Sequence, residues 1–422
     1  MTTTAKLPFV ADYVLDGGDL IHKIPWARNV SAKSIIDKYV EYVSTAYGRS
    51  TTIVFDGYTS GPQTKDIAQM RRKGGVSSND VHFDESSPIR AKKEVLLSNN
   101  NNKQRFINML GVHLTHAGHT VKHATGDADV LIVSTALTSA LVSPTVLIGE
   151  DTDLLCLLVS QIEDRHQDIY FAPKKKSTDV TRKVWNIHAL SRNMGTDLCK
   201  SLLFLHAIGG CDTTSRLFEI GKGTIINMYL DTRGFREYVN LFLRSSVVED
   251  VITYGERAII YIYGGSSSTT SLDALRCVRF QQKTVTRTSY VQCKSLPPTS
   301  SAAKFHCQRV HHQLQEWTGI QLDPHVWGWQ LNSGRLHPVY MDKEPAPAVL
   351  LKVVHCSCST DCSQSTRCSC RKNGLSCTAA CKNCCEATCG NIKTIRFDTQ
   401  DEDANDDVTF EADVPSTSAE GQ

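Results

Sequence analysis

Val14-Leu15-Asp16-Gly17, Val54-Phe55-Asp56-Gly57 and Leu147-Ile148-Gly149-Glu150-Asp151-Thr152-Asp153 share one pattern: a short apolar run with acid at its carboxyl end. Short apolar runs closed by Gly and Asp read as buried strands. Tyr13–Leu15, Thr52–Phe55, Thr145–Ile148 and Ile169–Phe171 are the strands this predicts. Between them lie amphipathic stretches such as Ser34–Thr45, where Ile35, Ile36, Tyr39, Val40 and Val43 fall on one side at helical spacing. Alternation of this kind up to about residue 245 predicts an α/β fold, a mostly parallel sheet flanked by helices.

Ligands of open α/β sheets collect beyond the carboxyl ends of the strands, so Asp16, Asp56, Asp151 and Asp153 are placed to converge. Asp127 and Asp129 open the apolar helix Val130–Leu141, and Asp212 follows the apolar run Leu202–Ile208 in Gly209-Gly210-Cys211-Asp212. Taken singly, Asp-Gly is turn chemistry and Asp before a helix is an N-cap. Seven carboxylates brought together in a low dielectric repel one another, and cations must fill such a site. Hard oxygen donors suit Mg²⁺ or Mn²⁺.

The order and spacing of these segments, over roughly residues 10–235, resemble the flap endonuclease/XPG family of PIN-like nucleases. That family has a strand-end Asp, a strand ending in Phe-Asp-Gly, an acid-x-acid pair at a helix start, Glu-Asp-x-Asp after a strand, and Gly-x-Asp. Asp stands at 127 and 129, where the family usually has Glu. The resemblance implies two-metal phosphodiester hydrolysis. Asp127, Asp129, Asp151 and Asp153 would be the inner ligands, with Asp16, Asp56 and Asp212 completing the set. It also likens Pro62-Gln63-Thr64-Lys65, with Arg71 and Arg72, to the basic arch that meets the scissile phosphate. Lys65 and Arg71 are the residues it assigns to charge on that phosphate. Glu219-Ile220-Gly221-Lys222-Gly223 resembles the family's helix-hairpin-helix, whose Gly221 and Gly223 amides, with Lys222, would cradle a backbone phosphate. Two features depart from the family: its Met-Gly start is absent, and polar residues 74–103 do not read as its arch. DNA is the expected partner, with RNA open. The competing reading is a non-catalytic DNA- or chromatin-binding protein on a decayed nuclease scaffold.

The remaining body is less regular. Residues 74–103, with the run Asn99–Asn102, read as a mobile insertion. Val247–Ile262 reads as a helix. Ala303, Cys307, Val310, Leu314 and Trp317 fall on one face of another, after Pro297-Pro298 and before Gly319. His306, His311 and His312 on that helix are read as core and surface residues, not metal ligands. Val130–Gly149 is uncharged, but its Ser and Thr residues and Pro144 favour a buried helix and strand over a membrane span. Met1–Leu7 lacks the basic flank and apolar run of a secretory signal, so an intracellular, nuclear location is expected.

Six of the sixteen cysteines are scattered; ten lie between 356 and 389, at Cys356, Cys358, Cys362, Cys368, Cys370, Cys377, Cys381, Cys384, Cys385 and Cys389. Almost without apolar side chains, this segment must fold around metal, and closely spaced thiolates suit tetrahedral Zn²⁺. It resembles the tesmin-like CXC domain, from Cys356 to Asn391, including Arg371-Lys372-Asn373-Gly374 and the closing Cys-Gly-Asn. The resemblance implies three zinc ions on nine cysteines with bridging thiolates; Cys384-Cys385 adds a tenth. It further implies DNA contact by Arg367, before Cys368, and by Lys372. Beyond Arg396 there are nine acids and no base, so the net +2 of the chain is +11 for the rest. A basic body suits nucleic acid. The expected organisation is a nuclease domain at 1–245, a helical extension and linker at 246–345, a zinc-cluster domain at 346–395 and a disordered acidic tail at 396–422.

Overall fold

Continuous apolar runs can be buried on both faces only as central strands of a covered parallel sheet, and the four expected runs take that place. The computed structural model describes residues 7–48, 50–58, 61–72, 78–173, 183–286 and 293–343. It also describes 356, 358, 361–363, 365–377, 381 and 389–391. In chain order the strands are β1 (Asp12–Asp16), β2 (Val30–Ser31), β3 (Thr52–Phe55), β4 (Pro88–Ile89) and β5 (Thr120–His123). There follow β6 (Thr145–Ile148), β7 (Ile169–Phe171), β8 (Trp185–Asn186), β9 (Trp329–Asn332) and β10 (Arg335–Pro338). The main sheet has the order β5-β3-β1-β6-β7-β8, all parallel except β8. β1 lies centrally, with β3 and β5 on one side and β6 on the other, so the strand order reverses beside it. A crevice opens at such a switch point.

Alternating side chains divide the core into two layers. Val14, Val54 and Leu147 pack with the helices Asp129–Ser139, Thr152–Gln161 and Thr196–Ile208. Their neighbours Leu15, Ile53, Phe55, Val146 and Ile148 face the other way, onto Ala32–Tyr47 and Asn100–His116. The first layer continues without a break past residue 245. Helix Val248–Ile262 and helix Ser300–Trp317 join it, and Ala303, Cys307, Val310, Leu314 and Trp317 are all buried, as their spacing predicts. A Cβ on Gly255 would come within 2.4 Å of Cys307 Sγ, so these two helices approach through a glycine. His306, His311 and His312 are core residues: His306 bonds the Ile208 carbonyl at 3.0 Å and His311 stacks on Trp327. No described helix is long and apolar enough to cross a membrane.

The insertion expected at 74–103 is ordered over its described part, 78–103, and this corrects the sequence reading. Asn99 caps helix Asn100–His116, accepting from the Asn101 and Asn102 amides, so the asparagine run starts a helix instead of a loop. Asn102 is fully buried; it donates to the Asn79 carbonyl at 2.9 Å and the Leu96 carbonyl at 3.2 Å, and accepts from Val81 N at 2.8 Å. Polar composition signals mobility only where no buried polar side chain ties the backbone down. Residues 73–77, the linker prolines Pro345 and Pro347, and the tail at 396–422 lie outside the described residues.

Asn102→Ala should therefore destabilise the protein by about 1–3 kcal/mol, the cost of stranding buried backbone groups. Chemical denaturation would measure the loss, and limited proteolysis should begin near residues 78–81.

Candidate active site and thiolate cluster

Tight turns bring the acids together at the carboxyl edge of the sheet. A Cβ on Gly17 would lie 2.2 Å from the Phe55 ring, and one on Gly57 would lie 2.3 Å from the Ala124 carbonyl oxygen. Both Asp-Gly pairs thus let neighbouring strand ends close in on each other. Asp16 Oδ1 accepts from Gly18 N at 2.8 Å, capping the helix Gly17–Lys23. Asp56 accepts from Ala128 N at 3.0 Å and from the Tyr58 hydroxyl at 2.9 Å. Asp151 accepts from Asp153 N at 2.9 Å and caps helix Thr152–Gln161.

Six of the seven expected acids form one electrostatic group. Burial, then Asp56 and Asp129, push the Asp16 carboxyl up to about 7. Burial, then Asp153 and Asp129, do the same to Asp151. Desolvation and Asp129 raise Asp127 well above the usual range despite Lys65. Asp153 differs: burial opposes its charge, but His206 with Lys65 and Lys222 outweighs it and lowers the carboxyl. Asp212 stands apart, paired with Arg72 at 2.5 Å.

The countercharge is built in. Lys65 Nζ, nearly buried, lies 2.7 Å from both Asp127 Oδ1 and Asp129 Oδ2. Burial disfavours its charge, yet the two carboxylates hold its pKa well above the ordinary value. His206 Nε2 lies 2.6 Å from Asp153 Oδ1, and Lys222 Nζ lies 3.3 Å from the same imidazole nitrogen. Burial opposes the imidazolium, but Cys156 and Asp153 carry His206 up to about 10. His206 and Arg72 were not singled out as partners of acids in the sequence. Nothing local marks His206 on an apolar helix, and only its place opposite Asp153 gives it a role.

Lys222 begins helix Lys222–Asp231 with Gly221 as its N-cap, and it turns toward His206. A Cβ on Gly221 or Gly223 would meet nothing, so neither glycine is required by a close approach. Arg71 is exposed at the end of helix Asp66–Arg72. Beside Lys65 and Asp127 an open cleft of about 720 Å³ runs to Gln313 and Trp317. The donor set is all carboxylate, which fits Mg²⁺ or Mn²⁺. Carboxyls held near neutral by mutual repulsion and burial are what an added cation would relieve. Among the described residues, however, only thiolates come together in groups of three or more ligand atoms within 4.8 Å of one another.

Those thiolates form two overlapping groups: Cys356, Cys362, Cys368, Cys377 and Cys356, Cys370, Cys377, Cys381. Cys356 and Cys377 belong to both, the arrangement of bridging sulfurs. Cys356 Sγ lies 3.8 Å from the sulfurs of Cys362 and Cys377, as does Cys368 from Cys377, and Cys370 lies 3.4 Å from Cys381. A tetrahedral zinc–thiolate centre with bonds of about 2.3 Å has sulfur–sulfur edges of about 3.8 Å. The donor set therefore fits Zn²⁺, and none of these pairs is a disulfide. The single helical turn Ser369–Lys372, capped by Cys368, presents exposed Lys372 and lies beside exposed Arg367. Cys358 and Cys389 are described outside the two groups, while Cys384 and Cys385 lie outside the described residues.

No protein-family model matches the chain, and no curated protein does. Solved structures similar to it include the catalytic core of Rad2 in complex with DNA substrate, 15% identical over 67% of this chain and 75% of that one, TM-score 0.36. The bacteriophage T5 D15 flap endonuclease, in a complex with DNA and metal ions, is 14% identical over 64% and 93%, TM-score 0.36. The Holliday junction-resolving enzyme GEN1, with product DNA and Mg²⁺, is 12% identical over 75% and 59%, TM-score 0.34. Identities and scores of this size do not assign a family.

Two outcomes test the site. Asp151 is protonated in the folded state up to pH about 7 but ionises near 3.8 when free, so the metal-free fold loses stability as pH rises between those values. Asp151→Asn keeps the cap and removes that loss: it should raise the melting temperature most at pH 8, less at pH 5, and leave it nearly unchanged at pH 3. In the thiolate cluster, Cys377→Ser should release more zinc, measured by atomic emission, than Cys362→Ser, because Cys377 belongs to both groups.

Proposed function

We propose that this chain is a metal-dependent nuclease with a PIN-like, flap endonuclease-type domain, hydrolysing phosphodiester bonds of structured nucleic acid. The observation that carries this reading is the gathering of Asp16, Asp56, Asp127, Asp129, Asp151 and Asp153 at the switch point of a parallel sheet, two of them raised to about 7. Evenly neutralised structural acids would have no reason to sit at an open edge in mutual repulsion. Two Mg²⁺ or Mn²⁺ ions held there would supply Lewis acidity at the scissile phosphodiester; Asp212, expected from the sequence to complete the set, is paired with Arg72 and is left outside it. Lys65 and Arg71 offset charge on its non-bridging oxygens. Gly221, Lys222 and Gly223 hold the backbone of the substrate through amides at a helix start. Tyr58, bonded to Asp56 and contacted by Lys103, fixes that carboxylate.

The cysteine segment is proposed as a CXC-type module holding about three Zn²⁺, which tethers the nuclease to DNA through Arg367 and Lys372, in the nucleus. A second reading has its own observation. Lys65 already bridges Asp127 and Asp129 at 2.7 Å, the place a cation would take. An ammonium that stays there would make the fold a non-catalytic DNA- or chromatin-binding scaffold.

Purified protein incubated with labelled flap, single-stranded and duplex substrates in Mg²⁺, Mn²⁺ or chelator separates the two. Cleavage should require the divalent ion, vanish in Asp151→Ala/Asp153→Ala, and leave nucleic-acid binding intact or improved. Lys65→Ala and Arg71→Ala should each lower turnover more than affinity. No cleavage in any metal, with binding retained, would establish the scaffold reading.

A further inference from the structure

Two clefts outside the acid cluster join into one basic channel. The first, about 590 Å³, is walled by helix Asp66–Arg72 on one side and by the Cys211–Arg216 loop and Trp329 on the other. The second, about 320 Å³, continues between that loop and helix Ser300–Trp317. Ser215, Arg216, Arg309 and Tyr340 line both. Thr64, beside Lys65, lines both the first of them and the cleft of the acid site, so the three run on from one another.

The charge of this channel is one-sided. Arg71, Arg72, Arg216, Arg309, Arg276 and Lys294 line it, and the only carboxylate among the lining residues is Asp212, already paired with Arg72. Arg309 is the central one. It is 2% exposed, its guanidinium donates to the Gly328 and Val339 carbonyls, and its Nε finds no acceptor among the described residues. Burial lowers its pKa to about 10, which leaves it cationic at neutral pH. A buried cation without a carboxylate is costly unless an anion comes to it. The floor is apolar, with Leu217, Ile259 and Leu296, and the rings of Tyr340, Tyr263 and Phe218 stand along it, while Trp329 is buried with the Arg309 guanidinium 6.0 Å from its ring centroid. Tyr340 is 58% exposed, and Lys294 lies over the Phe218 ring at 4.9 Å.

We propose that this channel is a track for a single polynucleotide strand, which leads the strand to or from the acid cluster. Arginine and lysine on the rim meet phosphates while aromatic rings on an apolar floor stack bases, the combination by which proteins hold single strands without sequence preference. A duplex keeps its bases stacked on one another and offers the rings no free base face. An acidic peptide would satisfy the cations but leave the rings unused. The track gives the proposed nuclease its substrate form and rests on that reading only for what happens at the acids; binding is independent of cleavage.

The test is fluorescence anisotropy of full-length protein with a labelled oligothymidylate of about 12 nucleotides, without added Mg²⁺ or Mn²⁺ so that no cleavage occurs while any zinc on the thiolate cluster is kept. Arg216→Ala/Lys294→Ala changes two exposed residues, and its folding is checked by thermal melting. It should weaken binding and flatten the dependence of log affinity on log salt by about 1.4, roughly 0.7 for each lost phosphate contact. Tyr340→Ala should weaken binding on the order of ten-fold with the salt slope unchanged. The proposal is overturned if the double variant binds as the parent does, or if polyglutamate or a blunt duplex competes as well as the single strand. Single-strand binding with these responses but no cleavage in any metal would sustain the track and remove the nuclease; cleavage with a silent double variant would do the reverse.

Discussion

Repulsion among carboxylates at one sheet edge is the constraint around which the rest of the body is arranged. Asp16, Asp56 and Asp151 stand at the ends of adjacent strands because β3, β1 and β6 are neighbours in register, and Asp127 and Asp129 are brought in by the chain leaving β5. Three segments from elsewhere bring countercharge. Lys65 comes from the stretch before helix Asp66–Arg72, His206 from helix Thr196–Ile208, and Lys222 from the helix that follows. Each is long-range in sequence, so the site is complete only when the helical layer has docked on the sheet. Local capping supports it: Asp16 and Asp151 bond the amides of helix starts, where the positive end of the helix dipole favours their charge.

The two halves of the chain relate to cations in different ways. In the body, sheet and helices bury a continuous apolar core that holds the acids in place, and a cation there would relieve repulsion. Among the described residues of the cysteine segment the buried side chains are cysteines, with Leu375 as a partly buried neighbour. A thiolate cluster in so short a piece would order around bound metal, which would couple its folding to its metal affinity. Hard carboxylate oxygens and soft thiolates also separate the ions they select.

Helix Ser300–Trp317 links the extension to the site. One face carries the apolar series ending at Trp317, but its other faces are buried too, with Gln308, Arg309, His311, His312 and Gln313 nearly inaccessible. Some of these polar groups have partners: Gln313 accepts from the Thr213 hydroxyl at 2.5 Å, and His306 meets the Ile208 carbonyl, whereas Gln308 Oε1, Arg309 Nε and His312 Nε2 have none among the described residues. Those bonds hold the loop that carries Asp212, and so position the one carboxylate that faces Arg72 rather than the main cluster.

Legibility followed the range of the interactions involved. The strands with acids at their ends, the apolar helices Asp129–Ser139 and Ser300–Trp317, and the thiolate spacing were determined by the sequence, because periodicity, turn chemistry and ligand spacing act over a few residues. The α/β class followed from the same local signals. What only the tertiary structure decided depends on contacts between distant segments. These are Lys65 between Asp127 and Asp129, His206 on Asp153, Arg72 on Asp212, and the asparagine run tied to residues 79–81. The polar stretch read as mobile is the clearest case: its composition is that of a loop, and a single buried amide, Asn102, makes it structure. Charge and hydrogen-bond partners 20 to 140 residues away leave no periodic trace in the chain, and so the partners of each acid became visible only when the layers had packed.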